Sequence, residues 1–234
     1  MPLFDPVLRL VGYYQRNGLF ATCRRAGELS WRAVFLNTRI LVCSDLRGME
    51  AAQSKWALPD SMAIERVSEF GQIRGQDWQK IASTRTVAVC RRAFFARLKR
   101  GATMWLLRKD RDLVAYGWTI PCMSLERRYY PAGDNDVHFF EFLVFPEHRG
   151  LQILSLMINH IVHTLAAEGK TRAFHEIAQW NEASMNSRPR TTFQPIGISK
   201  KRLFRRRELV RWIGAEESSA PPVGFPAGAV TKEG

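Results

Sequence analysis

Residues 141–162, EFLVFPEHRGLQILSLMINHIV, combine a carboxylate with a turn that can hold an anion. The first residues are aromatic and branched and predict a buried strand, which ends at Pro146. A tight turn over residues 147–150 follows, and a helix begins immediately after it. This order directs backbone N–H groups and the positive end of a helix dipole at one point. We therefore predict an anion site there, suited to a pyrophosphate.

The other residues that often do chemistry predict neither a metal site nor an activated nucleophile. The histidines lack metal-ligand spacing with a carboxylate partner, and the cysteines form no CxxC pair. We therefore expect no metal, and we expect Cys23, Cys43, Cys90 and Cys122 to be reduced, buried thiols. Cys122 and Ser124 follow a predicted strand, but no histidine and carboxylate are visibly placed to activate them.

These residues must be positioned by a sheet, because strand and helix patterns alternate along the chain. Strands are predicted over residues 39–45, 104–108, 113–120, 137–145 and 172–177, with one or two further strands over residues 193–204. Helices are predicted over residues 63–70, 77–98 and 151–167. The charged turn at residues 109–112 joins two of the strands as a β-hairpin. A further short helix begins at Asn181. The order predicts a mixed α/β sheet.

The helix over residues 151–167 has two faces. One is an apolar stripe that can pack on the sheet, made by Leu151, Leu154, Ile158, Ile161 and Leu165. The other is a polar stripe made by Gln152, Ser155, Asn159 and His163. The helix is predicted to end at Glu168-Gly169.

Two segments together resemble a known family, the GNAT superfamily of acyltransferases. Its coenzyme-A-binding motif is a strand reading E-x-x-V-x-P-E-x-R-G, matched here by Glu141, Val144, Pro146, Glu147, Arg149 and Gly150. Its next motif is N-x-x-[AS] followed by an aromatic residue, matched by Asn181, Ser184 and Phe193. The resemblance extends more loosely over residues 34–213.

The resemblance implies an α/β fold with a mixed, mostly antiparallel central sheet flanked by helices. It also implies an acyl-CoA-dependent N-acyltransferase, which moves an acetyl or related acyl group to a primary amine by direct attack on the thioester. The co-substrate, acetyl-CoA or another acyl-CoA, would be held by Leu143, Val144, His148, Arg149, Gly150, Leu151, Gln152, Ile153, Leu154, Asn181 and Ser184. Glu141 would act as the general base.

The chain departs from the family pattern at two places. The family loop usually continues R-G-x-G-x-[GA], whereas this chain has Gln152 and Leu154 at the positions of the small residues. The family also has a tyrosine that protonates the departing thiolate, and Arg188 stands at that position. We predict that Arg188 is a catalytic residue that stabilises the thiolate charge. An alternative is a catalytically inactive domain that binds coenzyme A or another anion.

The net charge of +13 arises from 35 basic and 22 acidic residues, and part of the excess is clustered in residues 85–100 and 200–211. Such clusters are typical of solvated faces, and they also favour a second alternative, a nucleic-acid or membrane-surface binding module. That module leaves the motif at residues 141–150 unexplained, so we expect no nucleic-acid partner. The expected acceptor is an amino sugar, a sugar nucleotide or a protein amine.

The chain is predicted to have three regions. Residues 1–34 form a basic amphipathic helical extension, with two short helices broken near Asn17-Gly18, which packs on the next region or lies against a membrane surface. Residues 35–213 form the GNAT-like domain, for which 46% hydrophobic residues supply a core. Residues 214–234 form a disordered tail. No secretory signal is recognised, which predicts a cytoplasmic protein, with peripheral contact at the inner membrane face as an alternative.

Overall fold

The structure is a computed structural model, and it describes residues 4–35, 38–49, 58–83, 87–125, 129–130, 132–204, 207–214 and 231–232. The strands are β1 (Thr38–Asp45), β2 (Met62–Val67), β3 (Thr103–Lys109), β4 (Asp112–Pro121), β5 (Val137–Val144), β6 (Arg172–Ala178), β7 (Gln194–Phe204), β8 (Arg207–Gly214) and β9 (Thr231–Lys232). The helices are α1 (Phe4–Phe35), α2 (Gly75–Ser83), α3 (Val87–Lys99), α4 (Ile153–Ala167) and α5 (Glu182–Ser187).

All of these strands belong to one sheet, in the order β2-β3-β4-β5-β6-β1-β7-β8-β9. β5 and β6 run parallel, whereas the other neighbouring strands are antiparallel. The predicted mixed, mostly antiparallel sheet flanked by helices is therefore confirmed. β1 comes first in the chain but lies between β6 and β7, so early residues enter the middle of the sheet.

The sheet is covered on both faces, which explains why its inner strands are nearly continuous in apolar residues. Consecutive residues of β3 alternate between two buried clusters. Trp105 packs in the cluster that contains Met157 of α4, whereas Met104 packs in the cluster that contains Phe94 of α3. One face of the sheet is thus covered by α4, and the other by α2 and α3.

The helix predicted over residues 63–70 is wrong, because Met62–Val67 is the edge strand β2. The charged residues Glu65 and Arg66 interrupt the alternation of apolar residues that identifies a strand. β3 supplies the pairing for this segment, and the Arg66 guanidinium lies 4.5 Å from the ring centroid of Trp105. The strand therefore depends on its neighbour more than on its own pattern.

The remaining predicted elements are confirmed with small shifts at their ends. The helix predicted over residues 77–98 is two helices, α2 and α3, and the last predicted strand is β7. β8 was not predicted. The predicted tail over residues 214–234 lies outside the described residues, except for Gly214 and the short strand β9.

The N-terminal helix α1 is bent at Gly18, whose φ of 77° and ψ of 175° are not helical. The break predicted near Asn17-Gly18 is therefore confirmed. α1 contacts α3, and the side chains of Phe20 and Trp31 are exposed. Among the helices in the described ranges, none combines the length and the apolar character that crossing a membrane requires.

Candidate active site

A gap opens in the sheet between β5 and β6. The two strands pair only over the segment Val137 to Phe139 of β5. Beyond Phe139, β5 stays paired with β4 as far as Val144, and β6 stays paired with β1 as far as Ala178. Because each strand keeps its other neighbour, the two strands separate. An extended ligand can lie in this gap against the backbone edge of β5 that faces β6.

A β-bulge at the gap sets the direction of Glu141. The strand pairs on either side of the bulge are Phe140–Trp118 and Leu143–Tyr116. Two residues of β5 therefore stand opposite Gly117, and Glu141 accommodates the extra length with a φ of 55°. The bulge changes the alternation of side chains, so Glu141 points to the α3 side of the sheet, as Phe140 does.

The ring of Phe142 lies against Gly117. A Cβ atom added to Gly117 would lie 2.2 Å from Cδ1 of Phe142, far closer than two carbon atoms can approach. Phe142 also stacks on Phe139, with ring centroids 5.6 Å apart. Glycine at position 117 therefore gives the ring its place beside the gap.

Glu141 forms an ion pair with Arg97 of α3. The two side chains are 19% and 21% exposed, so solvent reaches them only in part. The Arg97 guanidinium also lies 5.3 Å from the ring of Trp118 and 5.2 Å from the ring of Phe140. The residue predicted as general base is thus held by a cation.

The turn between β5 and α4, which we call the anion turn, has the form of the predicted anion site. Pro146–His148 is one turn of 3-10 helix, and Gly150 follows with a φ of 83°. The amide of Leu156 donates to the carbonyl of Gln152 at 3.1 Å, which is the first hydrogen bond of α4. The amides of residues 153–155 thus have no carbonyl within the helix to pair with, as at any helix start, and they point out of its end. They can bind an anion there.

Gln152 precedes α4 with a φ of 56° and a ψ of 16°, in the left-handed region. Glycine adopts this conformation without strain, and the family pattern has a small residue at this position. The chain therefore has a left-handed residue with a larger side chain at the entrance to the helix.

A cavity of about 560 Å³ begins at this turn and follows β5. It is bordered by the predicted cofactor residues Leu143, Val144, His148, Arg149, Gly150, Gln152, Ile153, Leu154, Asn181 and Ser184, and also by Arg190. Leu151 is the exception, since it is 62% exposed and borders a different cavity. The structure therefore brings together all but one of the residues predicted to hold acyl-CoA.

A second cavity of about 500 Å³ adjoins the first at the gap. The residues that border both cavities are Phe142, Leu154, Asn181, Ser184 and Ser187. Both predicted catalytic residues, Glu141 and Arg188, border the second cavity. The Nε atom of Arg188 is buried, and it has no hydrogen-bond partner among the residues that the structure describes.

α5 and the turn after it close the cavities on one side. The side chain of Asn181 caps α5 by accepting from a backbone amide at 3.3 Å. Ser155 of α4 donates to the carbonyl of Ser187 at 3.4 Å, and Asn159 donates to the carbonyl of Arg190 at 3.0 Å. Three residues of the predicted polar stripe, Ser155, Asn159 and His163, are buried, whereas Gln152 is exposed. Ser155 and Asn159 position the segment that carries Arg188.

Three ionisable residues that border the second cavity were not predicted, namely Arg39, His175 and Glu176. Arg39 and Glu176 form an ion pair of 3.1 Å. The sequence RAFHEIA of β6 contained a signal, because a histidine and a glutamate stand in an otherwise largely apolar strand. Nothing in the sequence pointed to Arg39 as a site residue, because β1 borders the cavity only as a result of its pairing next to β6.

A solved structure with a TM-score of 0.50 supports this fold. A tandem GNAT protein from the clavulanic acid biosynthesis pathway is similar with a TM-score of 0.50 at 16% identity, over 72% of this chain and 55% of that one. The chain thus spans little more than half the length of that protein. A functionally unknown conserved protein from Staphylococcus epidermidis is similar with a TM-score of 0.49 at 8% identity, over 76% of this chain and 64% of that one.

Sequence comparison adds the family. A search of curated proteins gives no match to this chain. The family model described as Acetyltransferase (GNAT) family matches residues 67–187, which is just over half of the chain. The matched range includes the bulged strand β5, the anion turn, α4 and α5. The chain therefore belongs to the GNAT acetyltransferase family.

Proposed function

We propose that the protein is an acyl-CoA-dependent N-acyltransferase that moves an acetyl or related acyl group to a primary amine. One observation carries this proposal: two adjoining cavities lead from the anion turn, along the open edge of β5, to a group of polar side chains at the gap. The end at the anion turn could bind the phosphates of a cofactor, and the end at the gap has side chains that could take part in a reaction. We assign the activity to residues 35–213.

The acyl-CoA is proposed to bind along the first cavity. The amides of residues 153–155, together with the cations Arg149 and Arg190, would hold its phosphates. The backbone of Leu143 and Val144 would pair with the amides of the pantetheine arm, which takes the place of a neighbouring strand in the gap. The thioester would then reach the second cavity.

Transfer is proposed to be direct. The amine attacks the thioester carbonyl, a C–N bond forms, and the C–S bond breaks to release a thiolate. Arg188 borders the cavity and would stabilise the thiolate charge. The amine must also lose a proton, for which Glu141 is the acceptor predicted from the sequence. Holding both reactants in one place supplies a further part of the acceleration.

Binding and turnover test this proposal separately. Acetyl-CoA at a hundredfold excess over its dissociation constant is expected to raise the free energy of unfolding by about 2.7 kcal/mol, because it binds only the folded protein. S-acetylpantetheine, which lacks the pyrophosphate, is expected to bind more weakly. Mass spectrometry then detects transfer to an amino sugar, a sugar nucleotide and a lysine peptide. A lack of acetyl-CoA binding would contradict the proposal, and binding without transfer would favour an inactive coenzyme A binder.

A further inference from the structure

The side chain of His175 is fixed in one orientation at the gap. His175 is the last residue of β6 that pairs with β5, and its Nδ1 atom lies 2.8 Å from the carbonyl oxygen of Phe139. A carbonyl oxygen only accepts hydrogen bonds, so Nδ1 carries the hydrogen. The other ring nitrogen, Nε2, is then the one with a lone pair.

The lone pair of Nε2 is available to a ligand. His175 borders the second cavity, and within the described residues Nε2 has no hydrogen-bond partner. The ring contacts two aromatic rings, with centroid distances of 6.4 Å to Phe142 and 6.3 Å to Phe193. These contacts hold the imidazole beside Phe142, which borders both cavities.

Burial favours the neutral form of the His175 ring. Burial lowers the pKa of His175 below its usual value, whereas the hydrogen bond to Phe139 and the charge of Glu176 oppose the shift and Arg39 adds to it. Arg39 of β1 and Glu176 of β6 are paired with each other. The other charged groups that border the cavity are Glu141 of β5, paired with Arg97 of α3, and Arg188 of the turn after α5.

The alternative bases are less free to act. The carboxylate of Glu141 is held in its ion pair with Arg97. His138 is buried, it does not border either of the two cavities, and its Nδ1 atom lies 2.7 Å from the hydroxyl of Tyr130. His175 alone among these three combines a fixed tautomer with a nitrogen that faces no protein partner in the described ranges.

We propose that His175 is the general base of the acyl transfer, with Nε2 as the atom that takes the proton of the attacking amine. The inference rests on the function proposed above. The amine nitrogen forms a bond to the thioester carbon, and its proton passes to Nε2. The tetrahedral intermediate then collapses, and the C–S bond breaks with its electron pair on sulfur. The imidazolium returns the proton to the thiolate or to solvent, which leaves an amide and free coenzyme A.

The test uses His175→Asn, which keeps an N–H at the position of Nδ1 and removes Nε2. Methoxyamine is a suitable acceptor with acetyl-CoA, because it is small and stays unprotonated in mildly acidic solution. For the wild type, kcat is expected to fall on the acid side with an apparent pKa below the ordinary histidine value of about 6.5. In His175→Asn this acid limb should disappear, and kcat at neutral pH should fall on the order of 10²–10⁴-fold with unchanged acetyl-CoA affinity.

Two further variants make the comparison specific. His160→Asn is the matched control, because burial also lowers the pKa of this half-buried histidine on α4 but it borders neither cavity. It should keep both the rate and the acid limb. Glu141→Gln should keep the acid limb. If His175→Asn did not fold, His175→Gln would serve, since its amide is polar but not basic.

Several results would overturn the inference. One is an acid limb that persists in His175→Asn, and another is an acid limb that Glu141→Gln removes instead. Acetyl-CoA binding without transfer to methoxyamine or to any other amine tested would also overturn it. A wild type that did not bind acetyl-CoA would instead overturn the proposed function itself, so the two failures are distinct.

Discussion

Glu141 and Arg97 form an ion pair that joins the bulge of β5 to α3. The bulge supplies the direction of the carboxylate, and α3 supplies the cation that stacks beside Trp118 and Phe140. Both side chains are about four-fifths buried. Removing one partner therefore leaves the other as an unpaired charge that water reaches only in part. The pair is therefore expected to stabilise the bulged conformation of β5 beside the gap.

A double-mutant cycle measures this coupling. Arg97→Met and Glu141→Gln should each lower the free energy of unfolding in urea, and the double variant should lose less than the sum. We expect an interaction energy of about 0.5–3 kcal/mol. The matched control is the exposed pair Arg47–Asp45, for which the interaction energy should be about 0–1 kcal/mol. Additive effects at Arg97 and Glu141 would contradict the prediction.

Gly117→Ala should damage both stability and binding. The new Cβ would overlap the ring of Phe142, so the variant should lose about 1–3 kcal/mol of stability. The displaced ring should also weaken acetyl-CoA binding, because Phe142 borders both cavities. Gly75→Ala is the control, since its Cβ would meet open space. Rescue by Phe142→Leu in the same chain would support the steric cause, and normal binding by Gly117→Ala would exclude it.

Charge reversal at the anion turn should weaken cofactor binding. Arg149 is exposed, borders the first cavity and lies beside the amides at the start of α4. Arg149→Glu should lower acetyl-CoA affinity roughly tenfold to a hundredfold, as expected for loss of a hydrogen bond to a charged group. Calorimetry measures the affinity, and Arg111→Glu on the β3–β4 turn is the matched control. Equal acetyl-CoA affinities of Arg149→Glu and Arg111→Glu would place the anion site elsewhere.

Gly150→Ala should act through the backbone. A Cβ added at Gly150 would meet no atom within 4 Å, so obstruction is not the expected cause. Its φ of 83° is strained for alanine, and the variant should lose about 1–2 kcal/mol of stability. Urea unfolding tests this expectation, and a variant as stable as the wild type would show that the turn accepts a different conformation.

Stability should decrease as the pH falls below the usual pKa of histidine. Burial lowers the pKa of both His160 and His175, so the unfolded chain binds protons at a higher pH than the folded protein does. The free energy of unfolding should therefore be constant in this respect above about pH 6.5 and should fall below it. His160→Asn should flatten the dependence measured by urea unfolding between pH 5 and 8. An unchanged slope would assign the effect to other groups.

Local sequence was sufficient for the anion turn and its helix. The strand before Pro146, the turn and the amphipathic pattern after it lie within one continuous segment, so each signal supports the next. The same holds for the β3–β4 hairpin, whose two strands flank a charged turn. These elements were predicted because their neighbours in space are also their neighbours in the chain.

Long-range pairing explains what could not be predicted. Residues 62–67 are recognised as a strand only by their pairing with β3. The direction of the Glu141 side chain depends on the register between β4 and β5. The alternation along β5 alone would have placed that carboxylate on the α4 side. The role proposed for His175 likewise depends on the carbonyl of Phe139, which lies on a different strand.

The central position of β1 has a consequence for the way the chain is made. β1 pairs with β6 from Asp45 opposite Arg172 and with β7 from Thr38 opposite Lys200. On the ribosome, β1 therefore emerges long before both of its partners. Its apolar residues Leu41 and Val42 stay unpaired with these strands in the nascent chain until β6 and β7 have been synthesised. Such non-local pairing makes folding slow and exposes strand edges meanwhile. The middle of this sheet can therefore close only after β7 has been synthesised, although β1 precedes every other strand that the structure describes.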